Sequence, residues 1–314
     1  MFTRRTVIGT IATAALLATS SLALAQDKIY IPLISKGFQH QFWQAVKAGA
    51  DKAAAEFNVE ITFEGPDSET MVDRQIDMLA AALAKKPAAI GFAALDSQAA
   101  IPLLRQAHAA GIPIIAFDSG VESEIPLSIA ATDNAAAAGL AAEEMAELIG
   151  STGKVAIVAH DQTSRTGIDR RDGFLNQMKD YPNIEVVTVQ YGGGDQLKST
   201  ELTKAILTAN PDLKGIFGTN EGSAIGVANG VREMGAKDIV IIGYDSGRAQ
   251  TDAVRSGLMA GAITQNPVGI GYETVKAAYM ASQGKEVPTN IDTGFYYYDA
   301  SNIDDPEIAA VLYD

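Results

Sequence analysis

Cysteine is absent from this 314-residue chain, which removes disulfides, thiolate zinc sites and cysteine nucleophiles together. Histidine is scarce: His40, His108 and His160 are the only three, with no His-x-x-x-His spacing, so no metal site is expected. Basic residues are outnumbered, 24 Lys and Arg against 38 Asp and Glu. The net charge of −14 excludes a nucleic-acid partner, which clustered Lys and Arg would have to hold. Nucleotide motifs fail as well. Gly150-Ser151-Thr152-Gly153-Lys154 has Leu148 where a phosphate loop needs its first glycine, and Val155 where it needs Ser or Thr. Leu197 breaks the dinucleotide fingerprint that Tyr191-Gly192-Gly193-Gly194 begins. No Gly-x-Ser-x-Gly elbow occurs. No cofactor is expected.

What remains is a globular composition, 47% apolar and 20% charged, long enough for about two domains. One long apolar run exists, at the start. Arg4 and Arg5 precede an uncharged stretch from Val7 to Leu24 that ends in Ala23-Leu24-Ala25. A basic start, an apolar run and small residues at −3 and −1 predict a signal peptide over 1–25, cleaved after Ala25. The two adjacent arginines leave both the general secretory and the twin-arginine route open. The expected product is soluble and exported.

Beyond Gln26, strand-like runs alternate with helix-length segments. Lys28–Ile34, Val59–Phe63, Ala88–Ala93, Ile112–Phe117 and Leu127–Ala131 read as strands. Gln41–Phe57, Thr70–Ala84 and Ser97–Ala110 read as helices. The alternation resumes at Asn134 and continues to Ser256, with a helix over Asp169–Lys179 among its elements. Nearly continuous apolar runs such as Ile112-Pro113-Ile114-Ile115-Ala116-Phe117 suit strands buried on both faces. The predicted fold class is α/β, doubly wound, with parallel sheets and right-handed crossovers.

An internal repeat sharpens this. Ala94-Leu95-Asp96-Ser97 leads through a helix to Ala116-Phe117-Asp118-Ser119-Gly120, and Gly218-Thr219-Asn220-Glu221 leads through a helix to Gly243-Tyr244-Asp245-Ser246-Gly247. Two similar halves are implied, and ligands of open α/β sheets sit at the carboxyl ends of strands. Asp118 and Asp245 therefore have two readings. One is a helix N-cap, shared with Ser119 or Ser246; the other is a carboxylate accepting two hydrogen bonds from neighbouring hydroxyls. Ser35-Lys36-Gly37-Phe38-Gln39-His40-Gln41-Phe42-Trp43 crowds three aromatic rings, including the only Trp, and several amides after the first strand. Flat apolar faces beside amides and carboxylates suit a molecule with C–H faces and hydroxyl edges, as sugars have. His40 and His160 also follow strands and are open to a place in the cleft.

Gln41-Phe42-Trp43-Gln44-Ala45-Val46-Lys47-Ala48-Gly49-Ala50, Gly111-Ile112-Pro113-Ile114-Ile115-Ala116-Phe117-Asp118, Ala130-Ala131-Thr132-Asp133-Asn134, Arg170-Arg171-Asp172-Gly173-Phe174, Gly218-Thr219-Asn220-Glu221, Ile242-Gly243-Tyr244-Asp245 and Ile263-Thr264-Gln265 resemble in order and spacing the periplasmic solute-binding proteins of the ribose-binding, sugar-transporter type. The resemblance implies two α/β lobes joined by a three-crossover hinge near Thr132, Gln265 and residues 290–294. It implies one lobe of 26–132 plus 266–292 and another of 133–265 plus 293–314. It implies a sugar-like ligand, a membrane permease of an ABC importer as partner, and no catalysis. Phe42 and Trp43 would stack on the sugar, Asp118 and Asp245 would take hydroxyl pairs, and Asn220 and Gln265 would add amide bonds. Gln39, Arg165, Ser119 and Tyr244 complete the candidate set. Ser119, Ala93 and Gly194 stand where the ribose-binding pattern has an arginine, an asparagine and a bulky aromatic. That loss of bulk predicts a ligand larger than a free pentose: a hexose, a disaccharide or a sugar derivative. Rival readings are a chemoreceptor or quorum-signal binding protein, an exported carbohydrate-active enzyme with the two aspartates as acid and base, and a repressor's effector domain. The export signal and acidic charge argue against the last.

Overall fold

The computed structural model describes residues 28–313; the predicted signal peptide and its cleavage site lie outside the described residues. From the first strand the chain runs β1 (Tyr30–Ile34), α1 (Gln41–Glu56), β2 (Glu60–Glu64), α2 (Val72–Ala84), β3 (Ile90–Phe92), α3 (Ile101–Ala109), β4 (Ile114–Phe117) and β5 (Ser128–Ala131). It then crosses into α4 (Asn134–Leu148), β6 (Gly153–Ala159), α5 (Arg165–Gln177), β7 (Ile184–Tyr191), α6 (Gln196–Ala209), β8 (Leu213–Gly218), α7 (Glu221–Met234), β9 (Val240–Tyr244), α8 (Arg248–Arg255) and β10 (Gly261–Gln265). It returns through α9 (Pro267–Ser282) and β11 (Asn290–Asp292), then ends with β12 (Phe295–Asp299) and α10 (Pro306–Ala309).

Two six-stranded sheets result, ordered β11-β5-β4-β3-β1-β2 and β12-β10-β9-β8-β6-β7. Their strands carry the same order, so the internal repeat is a repeat of topology. Every described pairing is parallel except β10 with β12, an antiparallel edge. The sheets are covered on both faces by four apolar clusters, two to each sheet. Burial on both faces is why β4 and β9 read as unbroken apolar runs. Between β5 and α4, between β10 and α9, and between β11 and β12 the chain passes from one sheet to the other. Two of these passages touch: Thr293 N donates to the Ala131 carbonyl at 3.1 Å.

Local chemistry explains where element boundaries depart from expectation. The helix expected over Asp169–Lys179 begins four residues earlier, because the Ser164 hydroxyl caps α5 by accepting from Gly167 N. Asp195 likewise starts α6 at Gln196 by accepting from Lys198 N. The helix expected from Ser97 begins only at Ile101, after a turn held by the Asp96 carboxylate.

Helices α1 and α9 cross with their backbones in direct contact. A Cβ on Gly49 would overlap the Val268 carbonyl oxygen, and one on Gly271 the Val46 carbonyl oxygen. Any side chain there must separate the pair, and overpacking of this kind costs about 1–3 kcal/mol or more. Gly271→Leu is expected to lower stability by at least about 2 kcal/mol, measured by urea denaturation, with an unchanged slope.

Candidate ligand-binding site

The carboxyl ends of β1, β4, β6, β8, β9 and β10 converge on one cavity between the two lobes. Lys36, His40, Phe42, Trp43, Glu69 and Asp118 line it from one lobe, and His160, Thr166, Arg170, Asn220, Asp245 and Gln265 from the other. The two halves already touch: Lys36 Nζ donates to Thr166 Oγ1 at 3.0 Å, and Ser97 N donates to the Thr163 carbonyl at 3.0 Å.

Asp118 and Asp245 occupy equivalent positions, one residue past β4 and β9, and each turns at positive φ, +55° and +85°. Each backbone N–H reaches the neighbouring strand, Asp118 to the Ala130 carbonyl at 2.9 Å and Asp245 to that of Ile263 at 2.6 Å. Neither caps the helix that follows it. No helix starts after Asp118, and the residue before α8 is Gly247. Their partners differ. Asp245 accepts from Gln265 Nε2 at 2.7 Å and from Glu221 N at 2.9 Å. Asp118 faces the cavity with only Lys36 and Arg170 as nearby compensation, so burial pushes its carboxyl up to about 6.

The amides are oriented by their other contacts. Asn220 Oδ1 caps α7 by accepting from Ser223 N at 2.9 Å, which turns its NH₂ toward the cavity it lines. Gln265 commits its NH₂ to Asp245 and leaves Oε1 buried without a partner. Phe42 and Trp43, on the first turn of α1, meet edge to face at 5.0 Å and form the apolar wall. Trp43 Nε1–H donates to Glu69 Oε1 at 2.7 Å. Burial would raise Glu69, but Lys36 and this N–H hold it below its ordinary value, so it is charged. His160 lies between two hydroxyls, Nδ1 at 2.7 Å from Thr219 Oγ1 and Nε2 at 3.2 Å from Thr166 Oγ1; burial lowers it and keeps the ring neutral.

Six candidate residues therefore meet: Phe42, Trp43, Asp118, Asn220, Asp245 and Gln265. Four do not reach the cavity. Arg165 is directed outward to Asp169, because five residues along a helix turn a side chain about 140° away from Arg170. Arg170 is the arginine that faces in. Its guanidinium lies 3.7 Å from the Tyr244 ring centre, Nε donates to Asn134 Oδ1 at 2.7 Å, and NH1 donates to the Thr219 carbonyl at 2.9 Å. Tyr244 supports that guanidinium from the core, its hydroxyl donating to Asn134 at 3.0 Å; adjacent residues of a strand point to opposite sides, so Asp245 takes the cavity. Ser119 does not line the cavity; it is fully buried with its hydroxyl unpartnered. Gln39 sits exposed at the rim and braces the wall by accepting from Glu69 N at 3.1 Å.

Sequence reasoning missed Lys36, Glu69, Thr166 and Arg170 as lining residues and left His40 and His160 open. Lys36 follows β1 as Asp118 follows β4, so the strand-end rule could have found it. Glu69 sits in a loop with no such signal. Nor is the space at Gly194 open: a Cβ there would lie 3.1 Å from Asn220 Nδ2 and 3.2 Å from Glu69 Oε2.

Because Asp118 is held protonated in the fold up to about 6, while the unfolded carboxyl ionises near 3.8, the folded state loses stability as pH rises between these values. Asp118→Asn is expected to raise the ligand-free melting temperature at pH 7.5, by at most the equivalent of about 3 kcal/mol, with the difference gone below pH 4. Paired thermal melts at the two pH values measure it.

Residues 31–286 match the model of the periplasmic binding protein domain. A curated relative, the D-apiose import binding protein of Actinobacillus succinogenes, is 26% identical over 246 residues, covering 78% of this chain and 77% of its own length. The crystal structure of an ABC transporter solute-binding protein from Agrobacterium vitis bound with α-D-tagatopyranose superposes with a TM-score of 0.87 at 34% identity, covering 91% of this chain and 100% of that one. Another from the same organism, with bound D-fucose, has a TM-score of 0.88 at 32% identity, covering 90% and 100%. With matched topology in both lobes and one polar cavity between them, this chain belongs to the periplasmic binding protein family, among the sugar-binding proteins of ABC transporters.

Proposed function

We propose that this protein captures one uncharged sugar ring between its lobes, performs no reaction on it, and passes it to the membrane permease of an ABC importer. The reading rests on one observation. The cavity between the lobes sets unmatched hydrogen-bond acceptors, the Asp118 carboxylate and Gln265 Oε1, beside the apolar wall of Phe42 and Trp43. Hydroxyl donors complete those acceptors, and C–H faces suit the rings. The carboxylates Glu69, Asp118 and Asp245 outnumber the cations Lys36 and Arg170 on the lining, which disfavours an anionic guest.

Contact between the lobes bounds the size: with Lys36 already bonded to Thr166 across it, the cavity suits one ring better than a disaccharide. With Gly194 hemmed in, the hexose alternative suits the cavity best; the related proteins with bound tagatopyranose and D-fucose support a ring of that size. Asp245 has both carboxylate oxygens engaged by Gln265 and Glu221, an arrangement suited to holding a ligand and unsuited to shuttling a proton. The signal peptide ends at Ala25 in this reading, and a periplasmic monomer opens and shuts about the three inter-sheet passages.

In a thermal-shift panel, D-tagatose, D-fucose and other hexoses should raise the melting temperature, while disaccharides and uronic acids leave it unchanged. The single Trp43 on the cavity wall should report the same binding by fluorescence. Asp118→Ala and Asp245→Ala should each weaken calorimetric affinity about tenfold to a hundredfold, matching the 1.5–3 kcal/mol of a charged hydrogen bond. Unchanged affinity in both variants would refute the site, and product formation from any sugar would refute the absence of chemistry.

A further inference from the structure

Two helices that start at the cleft lack a cap of their own. His40 precedes α1 and Gly247 precedes α8, and neither side makes a side-chain bond to the helix it starts. The acceptors come from the opposite lobe. Glu221, first residue of α7, accepts from Gln41 N through Oε1 and from Phe42 N through Oε2, both at 3.1 Å. In return, Gln41 Oε1 accepts from Arg248 N at 2.9 Å, at the start of α8. Glu221 is 4% exposed and does not line the cavity, yet its own N–H holds Asp245 Oδ2. The approach needs glycine: a Cβ on Gly222 would lie 2.8 Å from His40 Cε1, and one on Gly247 would lie 2.9 Å from Gln41 Oε1.

We infer that Glu221 and Gln41 are reciprocal cross-cleft caps that form only when the lobes shut, so that Glu221 is a positioning residue that sets ligand affinity without touching ligand. The inference rests on the hinged-capture reading above. In an open cleft, water must serve the first-turn N–H groups of α1 and α8, and the Glu221 carboxylate is hydrated. Closure replaces that water with a carboxylate at the positive end of a 16-residue helix. The same carboxylate fixes Phe42 through its N–H, while the adjoining backbone fixes Asp245. The apolar wall and an acidic acceptor are thereby set by one residue. Apparent affinity scales with the population of the binding-competent state, so removing the caps weakens binding from a distance.

The cysteine-free chain makes the test direct. Asp67→Cys and Leu197→Cys, both exposed and on opposite sides of the cleft mouth, carry spin labels whose separation reports opening. D-fucose and D-tagatose serve as ligands. Glu221→Gln should shift the ligand-free distance distribution toward the long separation and weaken sugar binding about five- to tenfold through faster release, with an unchanged association rate. Gln41→Ala should do the same to a smaller degree. Ligand-free unfolding midpoints should stay at the wild-type value, which a merely structural role would not allow. Wild-type distances and affinity in both variants would overturn the inference. If the parent protein shows one distance with and without saturating sugar, the hinge reading fails and the caps fail with it. If the parent opens and shuts and the variants copy it, the caps alone fail. Should neither sugar bind, the ligand-free distance distributions decide between caps and no caps.

Discussion

Asp118 and Asp245 hold a backbone conformation that residues with a Cβ seldom adopt, and the rest of the site is arranged around that constraint. Each ends a strand buried on both faces, where the sheet stops pairing and the chain must turn. A positive φ at that point swings the carboxylate off the sheet and into the space between the lobes. Such strain costs on the order of 1–3 kcal/mol and persists only where surrounding bonds over-determine it. Here the N–H of each aspartate remains tied to the adjacent strand, and at Asp245 the carboxylate is tied as well.

The two aspartates are topological twins with unequal surroundings. Asp245 is satisfied by protein donors and lends the site rigidity. Asp118 is left wanting, raised by burial and compensated only by charges at a distance. A binding site has to be incomplete to bind, and here Gln265 Oε1 on one lobe and the Asp118 carboxylate on the other are left open. The lobe of Gln265 also contributes the pre-oriented groups: the Asn220 amide aimed by its cap, and Arg170 fixed between Tyr244, Asn134 and a carbonyl.

Much of the fold was legible because parallel sheets covered on both faces write long apolar runs, and because the topology repeats. Phe117-Asp118-Ser119-Gly120 and Tyr244-Asp245-Ser246-Gly247 marked the two strand ends without any coordinates. Helix starts were less legible: Ser164 and Asp195 cap their helices through bonds that hydrophobic periodicity does not register. Arg165 against Arg170 shows a further limit. Both sit on one helix, and only the rotation of that helix against the sheet selects which of them faces the cavity.

Sequence by itself determined the α/β class, the repeat, and the identity of the strand-end residues, because these depend on local periodicity and on the rule that strands end in turns. Tertiary structure alone decided how the two halves meet. Glu69 enters the cavity from a featureless loop, the space at Gly194 is filled by groups from both lobes, and Glu221 finds the start of a helix some 180 residues earlier in the chain. Those contacts join residues remote in sequence, and nothing in the local pattern encodes a distance that only the packed lobes set.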